Sequence, residues 1–173
     1  MSDRDAEFVE YFASRSGAMR GTAYLLCGDW HRAEDLVSAT FIKLYRAWSR
    51  ISRHDTLDAY TRQTLVRTFI SDGRRGWFRR EHVADALPEP APSGPVATED
   101  RQVLLAALTR VPPRQRAVLV LRYWEDLSVE ETARLLNCST GTVKSQAARG
   151  LQTLRGLLTE PQPADHYGES WKV

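Results

Sequence analysis

Apolar side chains recur at helical spacing through the first half of the chain. The clearest run lies between Trp30 and about Arg50, where small or apolar residues follow one another at steps of three and four. This stripe consists of Ala33, Leu36, Val37, Thr40, Phe41, Leu44 and Trp48. A stripe of this width predicts an amphipathic helix with one face in a core. Residues 4–26 predict a preceding helix, and Asp29 is placed to cap the helix that follows.

Three further helices are predicted by the same criterion. One runs from Leu57 to about Arg80, and its apolar residues are spread around the helix, which indicates packing on more than one side. Another begins near Arg101, and a Pro-Pro pair separates it from a helix at Arg114–Trp124. Since no segment shows the pattern typical of a strand, the chain is predicted to be all-α.

Residues 128–154 predict two short helices joined by a three-residue turn. Ser128 and Glu131 have the spacing of a capping box at the start of the first helix. Asn137 tolerates the left-handed conformation that a tight turn needs, and Ser139 can cap the second helix. This order is the pattern of a helix-turn-helix.

The outward face of the second helix carries hydrogen-bonding and cationic side chains and no carboxylate. Its residues are Thr142, Lys144, Ser145, Gln146 and Arg149. A helix that lies in the major groove of DNA needs side chains of these types. The alternative is an ordinary helical hairpin with a solvated polar face, although such faces usually mix both signs of charge.

The composition changes abruptly between the two helical halves. Residues 85–100 contain four of the eight prolines, four acidic residues and no cation. Such a segment cannot form a core helix and predicts a linker. We therefore predict two small helical domains, at 1–83 and 101–159, joined by a flexible acidic proline-rich linker at 84–100 and followed by a flexible tail at 160–173.

Positive charge is concentrated at the end of the first half. The net charge is only +2, but between Lys43 and Arg80 the chain has ten cations and three acidic residues. This stretch ends in GRRGWFRR, in which Trp77 and Phe78 lie between two arginine pairs. Cations interleaved with aromatic rings suit single-stranded nucleic acid, because phosphate attraction is combined with base stacking. The alternative is a basic helix end favoured by the helix dipole.

Other classes of function find little support in the residues. Cys27 and Cys138 lack neighbours at ligand spacing, so we expect core thiols rather than a disulfide or a metal site. The four histidines lie in separate segments, and there is no glycine-rich phosphate loop. No apolar run has transmembrane length, and the N-terminus shows no signal-peptide pattern. We expect a cytoplasmic protein without membrane insertion, catalytic residues, metal or cofactor.

Two motifs resemble the extracytoplasmic-function sigma factors, the group-four members of the sigma-70 family. AEDLVSATFIKLYRAW, at residues 33–48, is similar to region 2.1–2.2 of that family. LLAALTRVPPRQRAVLVLRYWEDLSVEETARLLNCSTGTVKSQAARGL, at residues 104–151, is similar to region 4. Within the family, the chain most resembles the SigE-like actinobacterial subset.

The resemblance implies a dissociable promoter-specificity subunit of RNA polymerase. The second helix would dock on the clamp helices of the largest polymerase subunit, and the polymerase flap is a further expected contact. The third helix and the loop before it would capture the −10 element as single strand, and the Thr140–Leu154 helix would recognise the −35 element as duplex. An anti-sigma factor is an implied partner. The residues expected to contact the polymerase are Glu34, Asp35, Ser38 and Ile42. The residues expected at the −10 strand are Arg53, Arg62, Arg67, Arg74, Arg75 and Trp77.

Two positions depart from the pattern of the family. Gln146 stands where many relatives carry arginine, and Arg67 stands where relatives often carry asparagine, so the promoter sequence is open at both elements. Two other classes of protein are alternatives. One is a self-sufficient helix-turn-helix repressor or activator with an N-terminal sensing or dimerising domain, which would bind duplex DNA tightly without polymerase. The other is an enzyme whose dispersed carboxylates meet in space.

Overall fold

The computed structural model describes residues 2–51, 56–76 and 98–159, with side chains throughout except at 74–76. Within these ranges the chain is helical and contains no strand, which confirms the all-α prediction. The N-terminal bundle consists of α1 (Asp3–Cys27), α2 (Trp30–Ala47) and α3 (Leu57–Gly76). The C-terminal bundle consists of α4 (Glu99–Arg110), α5 (Pro113–Leu119), α6 (Val129–Leu136) and α7 (Thr140–Thr159). The predicted tail and nearly all of the predicted linker lie outside the described residues.

The N-terminal bundle begins its helices as the sequence predicts. Asp29 caps α2, since its carboxylate accepts hydrogen bonds from the backbone N–H groups of His31 at 2.7 Å and Arg32 at 3.3 Å. The predicted apolar stripe of α2 is buried along its whole length, from Ala33 to Trp48. Gly28, with φ of +72°, ends α1 in the left-handed conformation.

The helix-turn-helix of the C-terminal bundle is confirmed at each predicted cap. The Ser128 hydroxyl accepts a hydrogen bond from the Glu131 backbone N–H at 3.0 Å, and the Glu131 carboxylate accepts one from the Ser128 N–H at 2.7 Å. This second bond lowers the pKa of Glu131. Asn137 is left-handed, with φ of +53°. The helix predicted at 114–124 differs in its second half, because α5 continues after Leu119 as one π-helical turn, Val120–Trp124.

The two bundles pack against each other rather than standing apart. A single cluster of buried apolar side chains includes Leu65 and Phe69 of α3 together with Leu119 and Leu121 of the C-terminal bundle. Helix α3 contacts α1 and α2 on one side and α5 and α6 on the other. The spread of apolar residues around α3 therefore does correspond to packing on more than one side.

Candidate nucleic-acid interface

Helix α7 is held by its buried side so that its polar face lies at the surface. Val143 is fully buried and packs with Val118 and Ala133 in a small apolar cluster. At Gly150 the helix crosses α5 closely, since a Cβ there would lie 3.1 Å from the Leu119 side chain. The orientation of α7 is therefore fixed by packing at two points along its length.

The predicted outward residues of α7 divide into two kinds. Lys144 and Arg149 are exposed, and Gln146 is half-buried. The Thr142 hydroxyl lies 2.9 Å from the Ser139 hydroxyl, and the Ser145 hydroxyl donates to the Thr142 carbonyl at 3.0 Å. These hydroxyl groups are hydrogen-bonded within the first turns of the helix, so Lys144 and Arg149 are the long polar side chains that extend into solvent.

The start of α7 is capped by the residue that the sequence indicates. The Ser139 hydroxyl accepts a hydrogen bond from the Thr142 backbone N–H at 3.0 Å. The helix Thr140–Thr159 contains no acidic residue. Its first turns therefore combine the positive end of the helix dipole with cationic side chains, an arrangement that favours DNA phosphates.

The predicted −10 residues of α3 face the C-terminal bundle. The Arg62 guanidinium donates from Nε to a Glu125 carboxylate oxygen at 2.7 Å, as an ion pair that is largely buried. The Arg67 Nε donates to the backbone carbonyl of Leu135 at 3.2 Å. Helix α3 thus presents two of its predicted nucleic-acid cations to acceptors of this same chain.

The described part of the structure does not include the side chains of the remaining predicted −10 residues. Arg53 and Trp77 lie outside the described residues. Arg74 and Arg75 belong to the last turn of α3, where the described structure is the backbone. Their assignment to the −10 strand stays a prediction.

The predicted polymerase-contact residues share the exposed side of α2. Glu34, Asp35, Ser38 and Ile42 are all exposed, and Ile42 is 54% exposed although it is a large apolar residue. They follow one another at helical steps of one, three and four, so they form one continuous strip.

An apolar groove between α1 and α2 adjoins this strip. It has a volume of about 510 Å³ and includes Ile42, Val9, Phe12 and Tyr45. Val9 is 53% exposed, and the Phe12 ring packs edge-on against Phe41 with ring centroids 4.8 Å apart. Phe12 is 39% exposed, so α2 leaves part of the apolar side of α1 uncovered, and Phe12 and Val9 line the groove there.

No three histidine, cysteine or acidic side chains among the described residues lie together as a metal site. No helix in the described part of the chain combines the length and apolarity that a membrane span requires.

Comparison with known proteins identifies the family. The family model described as Sigma-70 region 2 matches residues 12–79, and the model described as Sigma-70, region 4 matches residues 101–154. The chain belongs to the sigma-70 family. It is 38% identical over 157 residues to the RNA polymerase sigma-E factor of Streptomyces coelicolor, covering 88% of this chain and 86% of that protein.

Further similarities lie in the extracytoplasmic-function branch. The chain is 34% identical over 145 residues to the ECF RNA polymerase sigma factor SigE of Mycolicibacterium smegmatis, covering 80% of this chain and 56% of that protein. Its fold resembles the sigma factor RpoE of Bartonella quintana, solved in complex with the anti-sigma factor NepR, with a TM-score of 0.70 and 25% identity over 90% of this chain and 99% of that chain. The chain is thus an extracytoplasmic-function sigma factor of the SigE-like subset, and its role is promoter-directed initiation of transcription with RNA polymerase.

Proposed function

We propose that this sigma factor acts in the cytoplasm by reading two promoter elements with its two bundles. Helix α7 recognises the −35 element in the major groove, and α3 with the segments at its ends captures the −10 element as single strand. The exposed strip and groove of the N-terminal bundle dock on the polymerase core. The observation that supports this proposal best is the carboxylate-free exposed face of a capped recognition helix.

The chemistry of the α7 face indicates how −35 discrimination arises. Gln146 has the donor and acceptor pair that matches adenine, and the cation of Lys144 or Arg149 matches the acceptors of guanine. Each well-formed pair contributes about 1–3 kcal/mol of discrimination, which is enough for a few base pairs. The same face supplies phosphate contacts whose strength falls with salt concentration.

Arg149→Ala and Gln146→Ala test the −35 assignment in reconstituted holoenzyme. We expect run-off transcription to lose discrimination against substituted −35 bases by about tenfold or more per position, since one bidentate pair is lost. Binding to core polymerase should not change. Arg155→Ala is the matched control, because Arg155 is an exposed cation near the other end of the same helix. An equal effect of Arg155→Ala, or a loss of core binding in the two test variants, would move the −35 assignment away from this face.

Polymerase docking is proposed for Glu34, Asp35, Ser38 and Ile42 together with the adjoining groove. An apolar groove beside a polar strip has the composition of a specific protein interface, in which an apolar centre is surrounded by polar groups. Ile42→Arg should abolish holoenzyme assembly in a gel-filtration or fluorescence binding assay while the fold is retained, because the side chain is already exposed. Leu158→Arg on α7 is the control, since Leu158 is 42% exposed. Normal assembly of the Ile42 variant would exclude this surface.

Capture of the −10 strand requires the polymerase. Opening ten base steps costs on the order of 14 kcal/mol at about 1.4 kcal/mol per step. Each base captured by stacking returns only about 1–3 kcal/mol. The free protein should therefore bind promoter duplex weakly and with strong salt dependence. Tight, specific binding of duplex DNA without polymerase would instead support a self-sufficient helix-turn-helix regulator.

We further propose an anti-sigma factor as a partner of this chain. The support is the similarity to the Bartonella quintana sigma factor, which was solved in complex with NepR. Copurification from the native host should recover a protein that suppresses run-off transcription when it is added to the reconstituted system. If no recovered protein suppresses transcription, this partner is excluded under the conditions of growth used.

A further inference from the structure

A cavity of about 690 Å³ lies between the two bundles. Its lining comes from α1, α2 and α3 on the N-terminal side and from α4, α5 and the turn between them on the C-terminal side. At one place in its wall α3 approaches α5 closely, since a Cβ at Gly73 would lie 3.9 Å from the Pro113 Cβ. Ligand pockets have volumes of about 300–1,000 Å³ and occur preferentially between domains. The size and the position of this inter-bundle cavity are therefore those of a small-molecule site.

The floor of the inter-bundle cavity is apolar and preformed. Leu36, Phe69 and Val111 line it, and all three side chains are buried. The turn between α4 and α5 is fixed by Arg116, whose guanidinium donates to the Thr109 carbonyl at 2.5 Å and to the Val111 carbonyl at 2.8 Å. The proline pair in this turn also restricts the backbone, because the proline ring fixes φ. An apolar group that enters the cavity thus meets an ordered apolar surface.

Four exposed charged side chains line the cavity around this floor. They are Arg32 and Asp35 of α2, Asp72 of α3 and Arg110 of α4. None of the four side chains forms an ion pair or a hydrogen bond with another described residue. Two carboxylates and two guanidinium groups are thus available at one cavity. A ligand that has both a cationic and an anionic group can use both kinds of side chain.

We infer that the inter-bundle cavity binds a small zwitterion with an apolar body, of the class of an apolar dipeptide with free termini. The guanidinium groups of Arg32 and Arg110 bind its carboxylate. The carboxylates of Asp35 and Asp72 bind its ammonium group. Its side chains lie against the apolar floor, where they lose contact with water. Such a ligand contacts both bundles, so it stabilises the folded protein.

The cavity shares Asp35 with the strip of α2 that is proposed to dock on the polymerase. An ammonium group bound at Asp35 neutralises the charge that this residue offers to the polymerase. The zwitterion and the polymerase core should therefore weaken each other's binding, because coupling between two sites is reciprocal. This consequence rests on the proposed docking function of α2. The ligand then acts as an inhibitor of holoenzyme assembly.

Isothermal titration calorimetry of the full chain with leucyl-phenylalanine tests the site. We expect saturable binding with a negative heat-capacity change, since apolar surface is buried. Glycyl-glycine has the same two charges without apolar side chains, and N-acetyl-leucyl-phenylalanine lacks the ammonium group. Each of these two compounds should bind at least about fivefold more weakly. Absence of binding by leucyl-phenylalanine, or equal binding by glycyl-glycine, would overturn the inference.

Arg110→Gln and Asp72→Asn locate the binding in this cavity. Both side chains are exposed, so the fold should be retained. Each variant should bind leucyl-phenylalanine about fivefold more weakly, which is the effect of one ion pair at an exposed rim. Arg114→Gln and Asp100→Asn are the matched controls, because these exposed residues carry the same charges and do not line the cavity. An equal loss of affinity in the controls would exclude the cavity as the site.

The effect on the polymerase is measured by fluorescence anisotropy of the labelled protein with Streptomyces coelicolor core polymerase. Saturating leucyl-phenylalanine should lower the affinity for the core about fivefold, the lower end of the usual range of coupling between sites. Glycyl-glycine at the same concentration should leave the affinity unchanged. If leucyl-phenylalanine binds but the affinity for the core stays the same, the inhibitory role is wrong. If the protein does not bind the core even without peptide, the proposed docking function fails instead.

Discussion

The contact between Gly28 and Thr109 gives a sharp prediction about how closely the two bundles pack. Gly28 has φ of +72°, and a Cβ at this position would lie 2.1 Å from the Thr109 Cγ2 atom of α4. Carbon atoms in favourable contact are about 3.5–4.0 Å apart, so Gly28→Ala cannot be accommodated without movement of α1 or α4. The substitution thus opposes the packing of the two bundles.

Two costs of Gly28→Ala can be separated. The left-handed backbone costs about 1–2 kcal/mol for a residue with a Cβ, whether or not the bundles are packed. Overpacking against Thr109 adds about 1–3 kcal/mol, and only while the bundles are in contact. The free energy of unfolding should therefore fall by about 2–5 kcal/mol in total. Thr109→Ser removes the Cγ2 atom while it keeps the hydroxyl that donates to the Ala106 carbonyl at 2.7 Å, so it should relieve the second cost.

Urea unfolding of the four proteins in this double-mutant cycle measures the coupling. We expect Thr109→Ser to recover about 0.5–3 kcal/mol in the Gly28→Ala background, which is the range for residues in contact. In the wild-type background Thr109→Ser should have a small effect, because Thr109 is only half-buried. If the two substitutions are additive within about 0.5 kcal/mol, the bundles do not pack at this point in solution.

Three further predictions concern single elements. Ser139→Ala should lower the free energy of unfolding by about 1 kcal/mol, because the Thr142 N–H loses its hydrogen-bond acceptor. Urea unfolding measures this change, and an unchanged urea midpoint would contradict the capping role of Ser139. Gly156→Ala should raise the free energy of unfolding by about 0.5–1 kcal/mol, since a Cβ there would meet no atom within 4 Å. Gly150→Ala should show no such gain, because a Cβ there would lie 3.1 Å from the Leu119 side chain. Equal gains at both positions would be inconsistent with the close crossing of α5 and α7. Burial raises the pKa of Tyr11 from 10.0 to about 12. The neutral phenol therefore contributes stability in full below about pH 10 and loses this contribution between about pH 10 and 12. The free energy of unfolding, measured as a function of pH, should fall less between about pH 10 and 12 for Tyr11→Phe than for the wild-type protein.

The elements of this fold are predictable where the signal is local. The apolar stripe of α2 and the capping box at Ser128 depend on residues three or four positions apart, so the sequence contains all the information that they need. The outward face of α7 follows from the same periodicity. The predicted stripe of α2 is buried. On α7, Lys144, Ser145 and Arg149 are exposed as predicted, whereas Thr142 and Gln146 are half-buried.

The relation between the bundles is not predictable in this way. Arg116 is buried because carbonyl oxygens of Leu26 and Val111, distant from each other in sequence, both meet it in space. By residue type alone, an arginine is expected at the surface. The pairing of Arg62 with Glu125 joins residues 63 positions apart, and nothing in the local pattern of either residue identifies the other. Long-range polar contacts of this kind depend on packing that single-sequence periodicity does not describe.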